Sequence, residues 1–232
     1  MRPKTLDHIA YWLPDRDRIA DFLTEHLGMH AIERTDRFTL VGRDALKGKM
    51  TLFEAEGPRE RGALKHVALR VNDLDAALSE LPADFSVARE NGTALLDVGD
   101  DVRIGLVQAE TDTEYDLDHL ALFSADPAGT AAKYRDYGFE ATSPAPSGAP
   151  RVEIARAFVE FHQGEPGEPE RPLLNHLAVL VDSAEEHRAE AEQRDIEVQD
   201  FVDAPNTLAV FVWLPEHVRL EYVEHKPTFA LR

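Results

Sequence analysis

A short pattern of Leu, any residue, His, aliphatic, Ala occurs four times in this chain. The copies are Leu6-Asp7-His8-Ile9-Ala10, Leu64-Lys65-His66-Val67-Ala68, Leu117-Asp118-His119-Leu120-Ala121 and Leu174-Asn175-His176-Leu177-Ala178. The histidines stand 58, 53 and 57 residues apart. A period of that length implies four copies of one supersecondary unit, stacked because none can bury its own apolar face alone. The shared phase also puts an imidazole, a ready metal ligand, at one equivalent point of every copy.

Each His-bearing run reads as a strand. Alternation places His8, Ala10 and Trp12 on one face and Ile9, Tyr11 and Leu13 on the other. The small Ala leaves room beside each His. A helix is expected after each strand, with Asp15, Asp73, Asp126 and Asp182 as N-caps. Pro127 suits a first helical position. Ile19, Phe22, Leu23 and Leu27 form one helical stripe, as do Leu74, Ala77, Leu78 and Leu81. Gly28 and Gly138 read as C-terminal stops. Three further strands complete each unit, roughly His30–Arg34, Arg37–Gly42 and Lys49–Ala55 in the first, and Val198–Val202, Leu208–Leu214 and Val218–Val223 in the fourth. The expected class is therefore α+β, with four βαβββ modules. Gly- and Pro-rich linkers at 57–62 and 163–172 separate copies. The run 143–150 reads as a loop inside the third module, more an insertion than a pocket cover.

Composition narrows the partners. With 44 acidic against 25 basic residues, the net charge is −19, which disfavours nucleic acid and anionic membrane surfaces. No run of 18 apolar residues predicts a membrane span, and residues 1–5 lack the apolar core of a signal peptide. The chain has no cysteine, so any metal must be held by His, Asp, Glu or water. These features suit a cytoplasmic protein.

Glutamates recur on the last strand of three modules: Glu54, Glu160 and Glu221. Each has apolar neighbours, where a carboxylate is costly to bury unless something pairs with it. In module two, alignment on Val-Arg-aliphatic puts Gly105 where Glu221 falls. His162, two residues after Glu160, shares its face.

The fourfold Leu-x-His-aliphatic-Ala strand, the Leu27-Gly28-Met29 turn and the closing Glu221-Tyr222 strand resemble the vicinal oxygen chelate superfamily over essentially the whole chain. This group includes glyoxalase I, extradiol dioxygenases and bleomycin-resistance proteins. The resemblance implies that βαβββ modules pair into cupped mixed sheets with helices outside. It also implies a divalent metal (Fe, Mn, Ni, Co or Zn) held in the cup by a first-strand His and a last-strand Glu. The simplest pairing joins modules 1–57 and 62–111 into a first domain, 1–111. Modules 112–164 and 172–232 then form a second domain, 112–232. Carried over on that pairing, the metal ligands are His119, Glu160, His176 and Glu221, with Glu160, Glu221 and His162 as candidate acid–base groups. A second possible site holds His8, Glu54 and His66. If module one pairs with four instead, His8, Glu54, His176 and Glu221 form the four-ligand site.

Four ligands resemble glyoxalase I and imply isomerase or lyase chemistry on a small oxygenated substrate. The triad His119, His176 and Glu221 alone resembles an extradiol dioxygenase. However, Phe211, Leu214 and His217 stand where that family's signature has Tyr, Asp and Gly. The third reading is a small-molecule binding protein without turnover. A monomer or a homodimer is compatible with four modules per chain.

Overall fold

The computed structural model describes residues 1–231. Module one consists of β1 (Thr5–Leu13), α1 (Arg16–His26), β2 (His30–Arg34), β3 (Phe38–Gly42) and β4 (Lys49–Glu54). Module two follows as β5 (Leu64–Val71), α2 (Leu74–Ser79), β6 (Val87–Glu90), β7 (Thr93–Gly99) and β8 (Val102–Gln108). Module three is β9 (Asp116–Ser124), α3 (Pro127–Tyr134), β10 (Glu140–Ala141), β11 (Arg151–Ile154) and β12 (Ala157–Gln163). Module four is β13 (Leu174–Leu180), α4 (Ala184–Gln193), β14 (Val198–Asp203), β15 (Thr207–Leu214) and β16 (Val218–His225). The expected βαβββ repeat is present four times.

The helices start where side-chain chemistry lets them. Asp15, Asp73 and Asp126 accept from the free N–H groups of Arg18, Ala76 and Gly129. The fourth cap is Ser183, which accepts from Glu186 N, not the Asp182 expected from sequence. Gly28 and Gly138 take the positive φ that ends the helical segments before them. On α1, Ile19, Ala20 and Leu23 are buried, and the helix packs on β3 and β4 of its own sheet. It also reaches the other sheet, where Arg18 Nη1 donates to Val98 O over 2.8 Å. One continuous apolar core therefore serves both sheets, running from Ile9, Tyr11 and Leu13 to Val67, Leu69, Leu120 and Leu122. None of the described helices is long and apolar enough to cross a membrane.

Each eight-stranded sheet joins two modules, but not neighbours in the expected way. One sheet has the order β14-β15-β16-β13-β1-β4-β3-β2 and joins modules one and four. The other, β10-β11-β12-β9-β5-β8-β7-β6, joins modules two and three. Their centres are the antiparallel pairs β1–β13 and β5–β9. The boundary between 111 and 112 therefore cuts both sheets down the middle, and the pairing of one with two and three with four is not the one adopted. The two linkers run side by side, with Glu60 N donating to Arg171 O and Leu173 N to Glu60 O. That contact carries the chain back from the sheet of modules two and three, the inner pair in chain order, to the outer sheet of modules one and four.

This topology predicts the behaviour of fragments. Residues 1–111 and 112–232 expressed separately should each lack the cooperative thermal transition of the whole chain, because each keeps only half-sheets with open edges. Mixed, they should restore the far-UV circular dichroism of the intact protein and co-elute in gel filtration. A cooperative transition in either fragment alone would contradict the pairing.

Candidate metal centre

A backbone irregularity builds the site. In β1, Leu6 and His8 pair with consecutive residues of β13, so Asp7 is an extra, unpaired residue; Asn175 is skipped likewise on β13. The β5–β9 pair repeats this at Lys65 and Asp118. Every residue before a motif histidine is thus a β-bulge, which re-aims a side chain that alternation would send to the opposite face. At Asp7, Asp118 and Asn175, the bulged side chain turns back onto its own His. Across the pair, each His faces the partner's Ala: His8 opposite Ala178, and Ala10 opposite His176. The small Ala accommodates the two rings.

In the cup of modules one and four, the Nε2 atoms of His8 and His176 are 3.0 Å apart. Glu221 Oε2 lies 2.8 Å from His176 Nε2 and 3.3 Å from His8 Nε2. His8 Nδ1 donates to Asp7 Oδ1 at 2.7 Å, and His176 Nδ1 to Asn175 Oδ1 at 2.9 Å. Fixing Nδ1–H in this way turns Nε2 of each ring into the cup, as oxygen acceptors behind ligand imidazoles do in metal sites. The same three side chains form a cluster within metal-binding reach. For metal–ligand bonds of about 2.1 Å, donors at right angles stand about 3.0 Å apart and tetrahedral donors about 3.4 Å apart. The distances of 3.0, 2.8 and 3.3 Å lie in the range that three donors to one ion would span.

The electrostatics favour a cation there. Burial opposes charge on His8, but hydrogen bonds to Asp7 and Glu221 outweigh it and raise its pKa to about 9. Burial lowers His176. Burial alone would raise Glu221, yet attraction to the His176 and His8 rings holds it well below the usual carboxylate range. Glu221 Oε2 is buried without a well-aligned hydrogen bond. A carboxylate that stays ionised among two imidazoles, with an orphaned oxygen, fits a first-row divalent ion.

Asp7 is the hub behind this triad. Its side chain is buried, 2.8 Å from Lys49 Nζ and 3.1 Å from His225 Nε2 as well as bound to His8. His225 stacks on Phe229 with ring centroids 4.0 Å apart. Burial would raise the Asp7 carboxyl, but Lys49, His225 and His8 hold it well below its ordinary value.

The cup of modules two and three repeats the imidazole pair but not the rest. His66 and His119 also face each other at 3.0 Å between Nε2 atoms, and His119 Nδ1 donates to Asp118 Oδ1 at 2.7 Å. His66 Nδ1 is buried without a partner, since its neighbour is Lys65. Glu160 sits 3.6 Å from His162 Nε2 and 3.9 Å from Arg151 Nη1, outside the imidazole pair's cluster. The loop residues Ala145, Pro146 and Ser147 line this cavity, so the 143–150 run does cover a pocket.

The strand registers settle which carboxylates are equivalent. On the parallel partner strand, the Ala of each motif lies beside Glu221 for Ala178, Glu160 for Ala121, Gly105 for Ala68 and Thr51 for Ala10. Glu54 is therefore not the module-one counterpart; it pairs with Leu13 at the strand end, half exposed, and binds Arg16 at 3.2 Å. The expected set His119, Glu160, His176 and Glu221 is divided between two cups. His8, Glu54 and His66 likewise do not meet. The alternative pairing brings together His8, His176 and Glu221, with Thr51 where a fourth ligand was expected. His162 does stand beside Glu160. His225 lies in the cup, and His187 is buried against Tyr222. Trp12 lines the cup, whereas Trp213 is 45% exposed and forms neither wall nor core. The residues missed were Asp7 and Asn175; an oxygen acceptor directly before a motif histidine was the available signal.

The Asp7–Lys49 pair gives a direct test of this hub. Asp7→Leu should cost about 3–5 kcal/mol in urea unfolding by leaving a buried ammonium unpaired, and adding Lys49→Met should recover most of it. An Asp7→Leu loss under about 1 kcal/mol would show that the pair is not buried as described.

Residues 5–114 match the family model described as Glyoxalase/Bleomycin resistance protein/Dioxygenase superfamily. No curated protein sequence matches the chain. Among solved structures, glyoxalase I from Zea mays is similar at 15% identity, over 95% of this chain and 92% of that one, with a TM-score of 0.75. A proposed dioxygenase from Bacillus subtilis is similar at 14% identity, over 99% and 87%, also with a TM-score of 0.75. At such identities the likeness is one of fold. Residues 5–114 thus belong to the glyoxalase/bleomycin resistance protein/dioxygenase superfamily, and the whole chain has the fold of its glyoxalase I neighbour.

Proposed function

We propose that this protein is a metal-dependent enzyme in which His8, His176 and Glu221 hold one divalent ion, and a small substrate docks through two adjacent oxygens. The observation that carries this reading is the convergence of two imidazoles and one carboxylate within ligand-to-ligand distance of one another. A bound ion would act as a Lewis acid on the substrate oxygens. The chain supplies the remaining functions. Asp7 and Asn175 fix the ligand imidazoles. Trp12, Phe38, Phe53, Phe211 and Phe229 line a cavity of about 550 Å³ and give it apolar, aromatic walls. Such walls suit a flat apolar body carrying vicinal oxygens and exclude water from its far side.

The single carboxylate bears on the reaction class. With Thr51 at the register of a second glutamate, Glu221 is the one carboxylate of the cluster, so binding the ion and moving a proton would fall to the same group. A single carboxylate beside two imidazoles, under aromatic walls, fits ring cleavage of an aromatic diol, and we take that as the leading reading. Glyoxalase-like isomerase or lyase chemistry is the second. It is favoured by Phe211, which puts a ring without a hydroxyl where a dioxygenase signature has Tyr.

Elemental mass spectrometry of the purified, untagged protein tests the site. One equivalent of metal is expected, lost in His8→Ala, His176→Ala and Glu221→Ala and kept in His119→Ala and Glu160→Ala. Iron together with oxygen uptake on adding catechol supports ring cleavage. Nickel, cobalt or zinc without uptake supports isomerase or lyase chemistry. No metal after reconstitution overturns the enzyme reading in favour of a binding protein.

A further inference from the structure

The two cups share one framework yet differ at the bulge. His66, His119 and Glu160 occupy the same strand registers as His8, His176 and Glu221, and both imidazole pairs stand 3.0 Å apart at Nε2. The ring centroids are 5.1 Å apart in one cup and 5.2 Å in the other. A triad is therefore present in residues, but not assembled.

We infer that the cup of modules two and three keeps a latent metal triad, His66, His119 and Glu160, and that Lys65 is the residue holding it off. The inference rests on the reading that the triad of modules one and four binds a divalent ion.

Lys65 acts on both halves of the latent site. At the imidazole, Asp7, Asn175 and Asp118 each offer an oxygen to their own His Nδ1, whereas an ammonium can only donate. His66 Nδ1 accordingly has no partner, and nothing fixes its Nε2 lone pair toward the cup. At the carboxylate, Lys65 Nζ lies 3.4 Å from His162 Nδ1. Because Lys65 is the donor, Nδ1 of His162 must accept, which leaves the proton on Nε2. That Nε2–H faces Glu160 Oε2 at 3.6 Å, and Arg151 stands on its other oxygen at 3.9 Å. The ammonium thus orients the group that keeps Glu160 from the imidazoles. Lys65 is nearly buried, anchored by Glu90 on the rim, so its charge also stands unscreened beside any cation at the pair.

Gly105 does not rescue the site. A Cβ there would lie 2.7 Å from Thr93 Cγ2 and 3.1 Å from Ala68 Cβ, so a fourth ligand has no room. With no ligand available at Gly105, the triad has the same number of members as its counterpart.

The test is a gain of metal. Lys65→Asn places beside His66 the side chain that Asn175 already provides beside His176. The apoprotein is titrated with Co(II), following the visible absorption of the bound ion and the stoichiometry by calorimetry. One equivalent is expected for the parent and two for Lys65→Asn, falling back to one in Lys65→Asn/His119→Ala and Lys65→Asn/Glu160→Ala. His8→Ala/Lys65→Asn separates the two readings: it should keep one equivalent whatever the fate of the outer cup. Circular dichroism and thermal unfolding establish that each variant is folded, and Lys65→Gln, closer in length to lysine, serves if Lys65→Asn is not. The inference is overturned if folded Lys65 variants stay at the parent's stoichiometry. It is also overturned if the parent already binds an equivalent that His119→Ala removes.

Discussion

The site hangs on the antiparallel register between first strands, and within it on one extra residue per strand. Without the bulge, Asp7 and Asn175 would point to the opposite face from His8 and His176. With it, each imidazole and the acceptor that orients it leave the backbone side by side. The acceptor is itself held in place: Asp7 is neutralised by the buried Lys49, and in the inner cup Asp118 is 3.5 Å from the buried Arg70 Nε. A buried cation thus sits behind each carboxylate, so ligand orientation and core stability share the same atoms.

What was legible in the sequence was local. Strand phase, the aspartate caps and the helix-ending glycines depend on neighbours a few residues away, and three of four caps follow the reading. The glutamates were harder. Glu54 has the apolar flanks of a buried ligand, but flanks do not report register; the Ala two residues after each His does, and it lies beside Thr51. Gly105 was placed correctly because it was aligned by its own strand rather than by its neighbours' polarity.

Module pairing was not legible because the four first strands carry one pattern. Each offers the same alternation and the same bulge, so β1 has no local reason to prefer β13 over β5. The choice is made by long-range features: the linkers that run together at Glu60 and Arg171, and α1 spanning from its own sheet to Val98. The side chains that separate the two cups stand at position x of the motif and opposite its Ala. Net acidity says nothing of this, since the discriminating charges are single and buried.

The nested pairing has a consequence for synthesis on the ribosome. The inner sheet can close once the third module has emerged, because β5 and β9 lie in successive modules. Module one emerges first but must wait for β13 and β16, so its inner strand edge stays open until translation is nearly finished. His8 and Glu221 stand at opposite ends of the polypeptide. A chain stopped early can complete the inner cup, yet it cannot display the outer triad, which exists only in a finished product.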